Sequence, residues 1–258
     1  MINTYSSFYY LNPVTQDNFY LNFNEGGGEL TAQLEAGHYT HSELAQAIQD
    51  ALNDAGALAY TVTFLRNDRK FQISAPSNFS LLISSGTNAS SSIFSLIGFT
   101  GADLTGVSSY TGNAQSGSEY IPQFWLQDWV DPEDLQKGIS PAVNKSAAGE
   151  VEVVRFGTEK FYEFTIKFIT DVDQGSSGPV LNNSSGVNDA RLFMRFCVTK
   201  QKLEFMPDKN NKAVFTKIRL ESTEESRDGT GYRLRELYTQ GLPYYWETGK
   251  LVYRLVED

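Results

Sequence analysis

Few side chains in this sequence have the type and spacing that chemistry requires. Its two histidines, His38 and His41, stand three residues apart, close enough to share a metal ion. No Cys or acidic residue joins them at metal-site spacing, so they fit a polar turn at a helix start. Asp171-Val172-Asp173-Gln174-Gly175 sets alternate carboxylates before a glycine, as calcium loops do. The remaining loop positions, notably the closing glutamate in register, are missing, and a solvated loop fits better. Asp131, Glu133 and Asp134 flank Pro132 and suit the first turn of a short helix, where negative charge complements the dipole. No Gly-x-Ser-x-Gly elbow anchors a hydrolase triad. The single cysteine, Cys197, lies between Phe196 and Val198 and reads as an inert packed thiol. Gly26-Gly27-Gly28 is followed by no Gly-Lys-Ser/Thr, which makes it a turn rather than a phosphate cradle. Paired carboxylates for glycosidic cleavage are a tertiary property, and no spacing here singles out such a pair. The expectation is a chain that is not an enzyme, with no catalytic residue, cofactor or metal.

The aromatic residues are more suggestive. Phe124-Trp125-Leu126-Gln127-Asp128-Trp129 and Tyr244-Tyr245-Trp246 hold all three tryptophans in two short segments. Exposed, such residues anchor interfaces or stack on sugars; buried, they are core. Trp125, Trp129, Tyr244, Tyr245 and Trp246 are therefore the interface candidates. A net charge of -10 opposes sequence-independent contact with nucleic acid, which depends on Lys and Arg neutralising phosphates. No apolar run approaches membrane-spanning length, and Met1-Ile2-Asn3-Thr4-Tyr5 lacks the basic start of a signal peptide. One cysteine precludes an intrachain disulfide and suits a reducing cytoplasm or a protein indifferent to redox state.

The elements that must position these residues fall into two differently patterned halves. Tyr5 to Tyr10 reads as an arm. Phe19, Leu21 and Phe23 alternate along one face of a strand, and Glu29 to Leu34 returns as a second. Thr40 and Glu43 form a capping box opening a helix, with Leu44, Ile48, Ala51, Leu52 and Ala55 on one face and Gly56 as the stop. Tyr60 to Phe64 and Lys70 to Ser74 flank a polar turn as a hairpin. Ser80 to Ser84 predicts a further strand, and Ile93 to Phe99 a second helix. Gly101 to Ser118, nearly uncharged and rich in Gly, Ser and Thr, reads as a long loop or inter-domain connection. Beyond it, Val151 to Phe156, Phe161 to Ile169, Arg191 to Val198, Ala213 to Leu220 and Lys250 to Leu255 predict five strands. The Gly/Ser/Asn-rich loop from Asp171 to Asp189 is of a length that is usually functional or disordered. The expected fold class is an α+β N-terminal domain (hairpin, helix, hairpin; 1–115, with the arm) followed by a mainly-β, sandwich-like domain (116–258).

One stretch carries a resemblance. Gly37-His38-Tyr39-Thr40 leads into Glu43-Leu44-Ala45, Ile48-Gln49 and Ala51-Leu52-Asn53. A hairpin follows, and Leu96-Ile97-Gly98-Phe99 with Thr100-Gly101 ends the unit. This order resembles a module of virion proteins of tailed bacteriophages and other double-stranded DNA viruses. In that family a G-x-Y-T turn, an E-L-A-x-x-I-Q-x-A-L-N helix, a hairpin and an L-G-F … T-G segment succeed one another. The resemblance implies a virion structural protein of the neck, tail or baseplate, made in the host cytoplasm. It implies a homo-oligomer docking to other virion proteins; the acidic charge and the lack of a long apolar run add the expectation of no direct nucleic-acid binding and no membrane insertion. A receptor- or carbohydrate-binding virion protein is the alternative, and a tail-associated hydrolase the third reading.

Overall fold

The computed structural model describes residues 5–124, 126–131, 135–138, 142–145, 151–154, 158–170, 186–237 and 245–256. The chain is mostly β, in antiparallel sheets, with two α-helices among the described residues. Contacts divide it into two units: Tyr9–Glu119, and Met1–Phe8 together with Tyr120–Asp258. The segment read as an arm is instead strand β1 (Ser7–Tyr10), in which Phe8 and Tyr9 are fully buried. No helix among the described residues is long and apolar enough to cross a membrane.

In the unit Tyr9–Glu119, β2 (Tyr20–Asn24) and β3 (Glu29–Gln33) pair around the triple-glycine turn, with Leu21 opposite Ala32 and Phe23 opposite Leu30. Helix α1 (His41–Ala55) starts on the expected box: Glu43 N–H donates to Thr40 Oγ1 at 3.3 Å, and Thr40 N–H to Glu43 Oε2 at 2.9 Å. Its apolar face buries Leu44, Ala45, Ile48 and Leu52. His41 joins that face, fully buried with its ring stacked 4.3 Å from Phe64, so a residue read as polar serves as an aromatic plate. Strands β4 (Thr61–Leu65) and β5 (Lys70–Leu81) form the second hairpin, and Ser80 belongs to β5 rather than to a separate strand.

Two readings of the following stretch are corrected. Ile93 to Phe99 is a series of turns, with Phe99 N–H donating to Phe94 O at 2.8 Å, and only a single 3-10 turn, Ala89–Ser91, precedes it. Gly98 stands at φ +81, and a Cβ there would collide with Ala114 O; a Cβ on Gly112 would meet Gly98 O at 2.8 Å. Two backbones thus touch where only glycine fits, which a helix through residue 98 would forbid. Gly101 to Ser118 is not a connection either: it contains strand β6 (Leu104–Thr111), which pairs with β5. Strand β7 (Ser118–Tyr120) then spans the second crossing between units. The sheet runs β3-β2-β5-β4, and Ser74 of β5 pairs with both Thr61 of β4 and Ser109 of β6. Strands β4 and β6 therefore flank β5 on opposite edges.

The other unit adds β8 (Gln127–Val130), β9 (Gln136–Gly138), β10 (Ala142–Lys145), β11 (Val151–Val154) and β12 (Thr158–Thr165). After α2 (Val187–Cys197) come β13 (Leu203–Met206), β14 (Thr216–Thr223), β15 (Arg235–Leu237), β16 (Tyr245–Glu247) and β17 (Lys250–Leu255). The large sheet runs β7-β1-β13-β14-β17-β12-β8, with β9 on β12; β10-β11 and β15-β16 are separate pairs. The strand expected from Arg191 to Val198 is helix α2. Val187, Ala190, Phe193, Met194 and Cys197 are its buried residues, a helical spacing in a run whose apolar density also reads as a strand. Burial pushes the Cys197 thiol up to about 12, against a hydrogen bond from the Tyr253 hydroxyl at 3.4 Å. Rings from distant segments interlock around Phe8: Phe193 at 4.9 Å, Phe205 at 5.0 Å and Phe164 at 5.9 Å.

Two carboxylates close loops of the Tyr9–Glu119 unit. Glu25 accepts the Ala57 and Leu58 N–H groups and the Tyr60 hydroxyl at 3.0–3.1 Å. Burial acts to raise its pKa, but these donors outweigh burial and hold it low. For Asp103, burial is likewise outweighed by the Ser85 and Ser84 hydroxyls and N–H groups, and its pKa falls to about 2. A carboxyl depressed in the folded state stabilises it above the unfolded pKa and loses that contribution as pH falls. Stability should therefore decline from about pH 5 downwards, in part through these two groups. Glu25→Gln and Asp103→Asn should each flatten the decline in urea titrations run across that range. Leu52→Ala should lower unfolding free energy by about 2–5 kcal/mol in the same assay, the usual cost of emptying a buried leucine site.

Candidate functional site

The five nominated aromatic residues do not act alike. Trp125 and Tyr244 lie outside the described residues. Trp129, half-buried on β8, stacks on Phe164 at 5.8 Å and 12°, and lies against Tyr162 and Phe205 at 5.3 and 5.4 Å. Its indole N–H donates to Asp131 Oδ1 at 2.8 Å. Both ends of this side chain are thus satisfied within its own unit. Tyr245, half-buried on β16, instead meets Phe168 edge to face at 6.0 Å, and Phe168 meets Phe124 at 5.4 Å. Trp246 is half-buried beside Tyr245.

Phe168 organises this group. It stands at φ +59, in the left-handed region that bulky residues avoid, and leaves 38% of its surface exposed. The alternation of Tyr162, Phe164, Ile166 and Phe168 predicts that it shares a buried face, yet β12 ends at Thr165 and Phe168 turns out of the pattern. The backbone on either side leaves it little choice. Ile166 N–H donates to Thr248 Oγ1 at 3.1 Å, and Thr248 N–H to Ile166 O at 3.0 Å. Ile169 and Trp246 exchange backbone hydrogen bonds of 3.0 and 2.9 Å. The buried Gln123 amide donates to Thr170 O and accepts the Thr170 N–H. Residues 166–170 are held at both ends, and the Phe168 ring is turned outwards between Phe124 and Tyr245. The preceding residue in the chain, Lys167, pairs through Nζ with Asp128 Oδ2 at 3.1 Å. Phe124 and Phe168 were not among the sequence candidates. No Gly or Asn marks residue 168 as left-handed, so the sequence carries no signal for it.

The other polar features are built as anchors. Arg235 donates to Glu224 at 2.6 Å and to Glu225 at 2.7 Å. The Arg235 hydrogen bond first, and the Lys250 N–H second, hold Glu224 low. Ser226 and Thr230 bring exposed Asp228 to about 2. A general acid needs a carboxyl pKa raised towards neutrality. Glu25, Asp103, Glu224 and Asp228 are instead fixed anions. No group of three or more His, Cys, Asp or Glu residues is arranged to hold a metal ion among the described residues. A cleft of about 340 Å³ in the Tyr9–Glu119 unit is lined by neutral amide and hydroxyl groups, among them Asn12, Asn18, Ser95 and Gln115. The Asp171 to Gly175 motif lies outside the described residues, as does most of the Asp171 to Asp189 loop; Gly186–Asp189 opens α2.

In comparisons with known proteins, no family model matches the chain and no curated sequence is significantly similar.

Strain at Phe168 is measurable without a partner. Phe168→Ala and Phe168→Gly both remove the ring, but only glycine relaxes the left-handed backbone. The glycine variant should be more stable than the alanine variant by about 1 kcal/mol, read from denaturant midpoints at a common slope. Equal midpoints would show that the backbone at residue 168 is unstrained.

Proposed function

We propose that the chain is a structural component of a tailed-phage virion, in the neck, tail or baseplate, that acts by oligomeric assembly and by docking to neighbouring virion proteins. The virion context comes from the resemblance between Gly37 and Gly101. Those residues fall within the single compact unit Tyr9–Glu119, as a transferable α+β module requires. Docking is carried by one observation: the strained, outward-facing Phe168 ring between Phe124 and Tyr245, beside the Lys167–Asp128 pair. Exposed aromatic side chains are the kind that concentrate binding energy at protein interfaces. Backbone strain held in place by surrounding hydrogen bonds is also typical of sites kept for recognition.

Particle incorporation tests the reading. Phe168→Gly, Tyr245→Ala and Trp246→Ala chains that still fold should enter virions less than the parent chain, Phe168→Gly most of all. Normal incorporation of all three would remove this surface from the assembly. Glycan binding that is lost in the same variants while incorporation persists would favour the receptor- or carbohydrate-binding reading instead.

A further inference from the structure

Strand β6 is a sheet edge of an unusual kind. Among the described residues it pairs with β5 alone, and its other side has no strand partner. Soluble proteins blunt such edges with Lys, Pro, inward charges or bulges that turn the edge away. Leu104–Thr111 has neither a charged residue nor a proline. The residue inserted on β6 itself lies at one end. Between the pairs Ser80↔Thr105 and Phe79↔Val107 the extra residue is Gly106, at φ +84. Between Phe79↔Val107 and Ser74↔Ser109 the extra residues belong to β5, not to β6. Residues 107–111 thus carry no inserted residue of their own, and Ser109–Thr111 pair with β5 in regular register; five residues is about the mean length of a strand. Val107, 47% exposed, is the apolar residue at its start, and its own N–H is occupied by the Tyr110 hydroxyl at 3.2 Å.

The surroundings of the edge are neutral as well. With Tyr110, Ile73, Phe71, Val62 and Phe64 on the core side, the opposite face of β4, β5 and β6 carries Thr61, Thr63, Gln72, Ser74, Ser109 and Thr111. Lys70 closes this face at one end. In a chain of net charge -10, copies repel one another across most approaches. An uncharged edge beside an uncharged face is where two copies can meet without that repulsion. It offers no charge to attract a basic or acidic partner. Identical strands related by a two-fold axis pair antiparallel, so outward N–H groups other than that of Val107 meet C=O groups of the second copy.

We propose that residues 107–111 of β6 pair antiparallel with the same residues of a second copy, joining two five-stranded sheets into one. This contact is the homo-oligomeric part of the assembly role and rests on that reading. The purified full chain should be a dimer in sedimentation velocity, in a concentration-dependent equilibrium. Val107→Lys puts a charge on the edge, and Ser109→Pro removes a backbone donor; both should give monomers. Val107→Lys, an exposed substitution, keeps the test open if Ser109→Pro fails to fold. Thr63→Lys, two strands from the edge, should leave the dimer intact. A dimer that survives Val107→Lys, or one lost equally in Thr63→Lys, overturns the proposal. A monomeric parent chain that enters particles normally also overturns it, and leaves the virion role standing.

Discussion

The Phe8 ring is the contact on which the larger unit depends. It comes from the start of the chain, yet it lies within 6.5 Å of the rings of Tyr120, Phe164, Phe193, Phe205 and Tyr253. Those residues belong to β7, β12, α2, β13 and β17, so one side chain ties the two ends of the sheet order's first half to its far strands and to the helix. Between Phe8 and Tyr120 the chain makes an entire second unit. Closing so long a loop is entropically costly, although the cost grows only slowly with length. Folding Tyr9–Glu119 first reduces it, because an ordered insert leaves less chain freedom to lose. The hydrophobic reward for seating Phe8 then arrives with aromatic packing from five elements at once.

Local signals made part of this architecture legible. The Thr40 and Glu43 box, the Leu44, Ile48 and Leu52 stripe, the glycine turn and the two early hairpins are short-range patterns. Each is decided by neighbours a few residues away. Where tertiary context decides, the sequence misleads. Phe193, Met194 and Cys197 read as part of a strand because Leu192 and Phe196 crowd the same run with apolar residues. Only the upstream Val187, inside what reads as a polar loop, and Ala190, just after it, reveal the helical spacing. Strand β6 was hidden for the opposite reason. Tyr110 is the one residue of the strand that is buried, so no alternation marks it.

The candidate site was legible only by composition. Clustered tryptophans and tyrosines drew attention to two segments of the chain, but the side chain that turns outwards beside them is a phenylalanine. Trp129, the most conspicuous nominee, has its ring on Phe164 and its N–H on Asp131, so its visible chemistry is spent internally. Which aromatic side chain faces outwards depends on backbone constraints applied from residues 123, 246 and 248. No spacing within 166–170 encodes them.

These constraints also explain how a strained phenylalanine persists. A left-handed conformation at a non-glycine residue costs roughly 1–2 kcal/mol. Around Phe168 six hydrogen bonds, from Thr248, Trp246 and Gln123, fix the neighbouring residues 166, 169 and 170. Each contributes about 1 kcal/mol net when made, and leaving a buried partner unsatisfied costs more than that. Rotating residue 168 back to an extended conformation would shift the register of 169 and 170 and break several of these bonds together. The strained state is therefore the lower in energy while the latches hold. The ring is presented to its surroundings by the same β-bridge and side-chain amide that close the sheet beside it. Conformation and stability are thus coupled: loosening Gln123 or Thr248 would relax Phe168 through the backbone of residues 166 and 170.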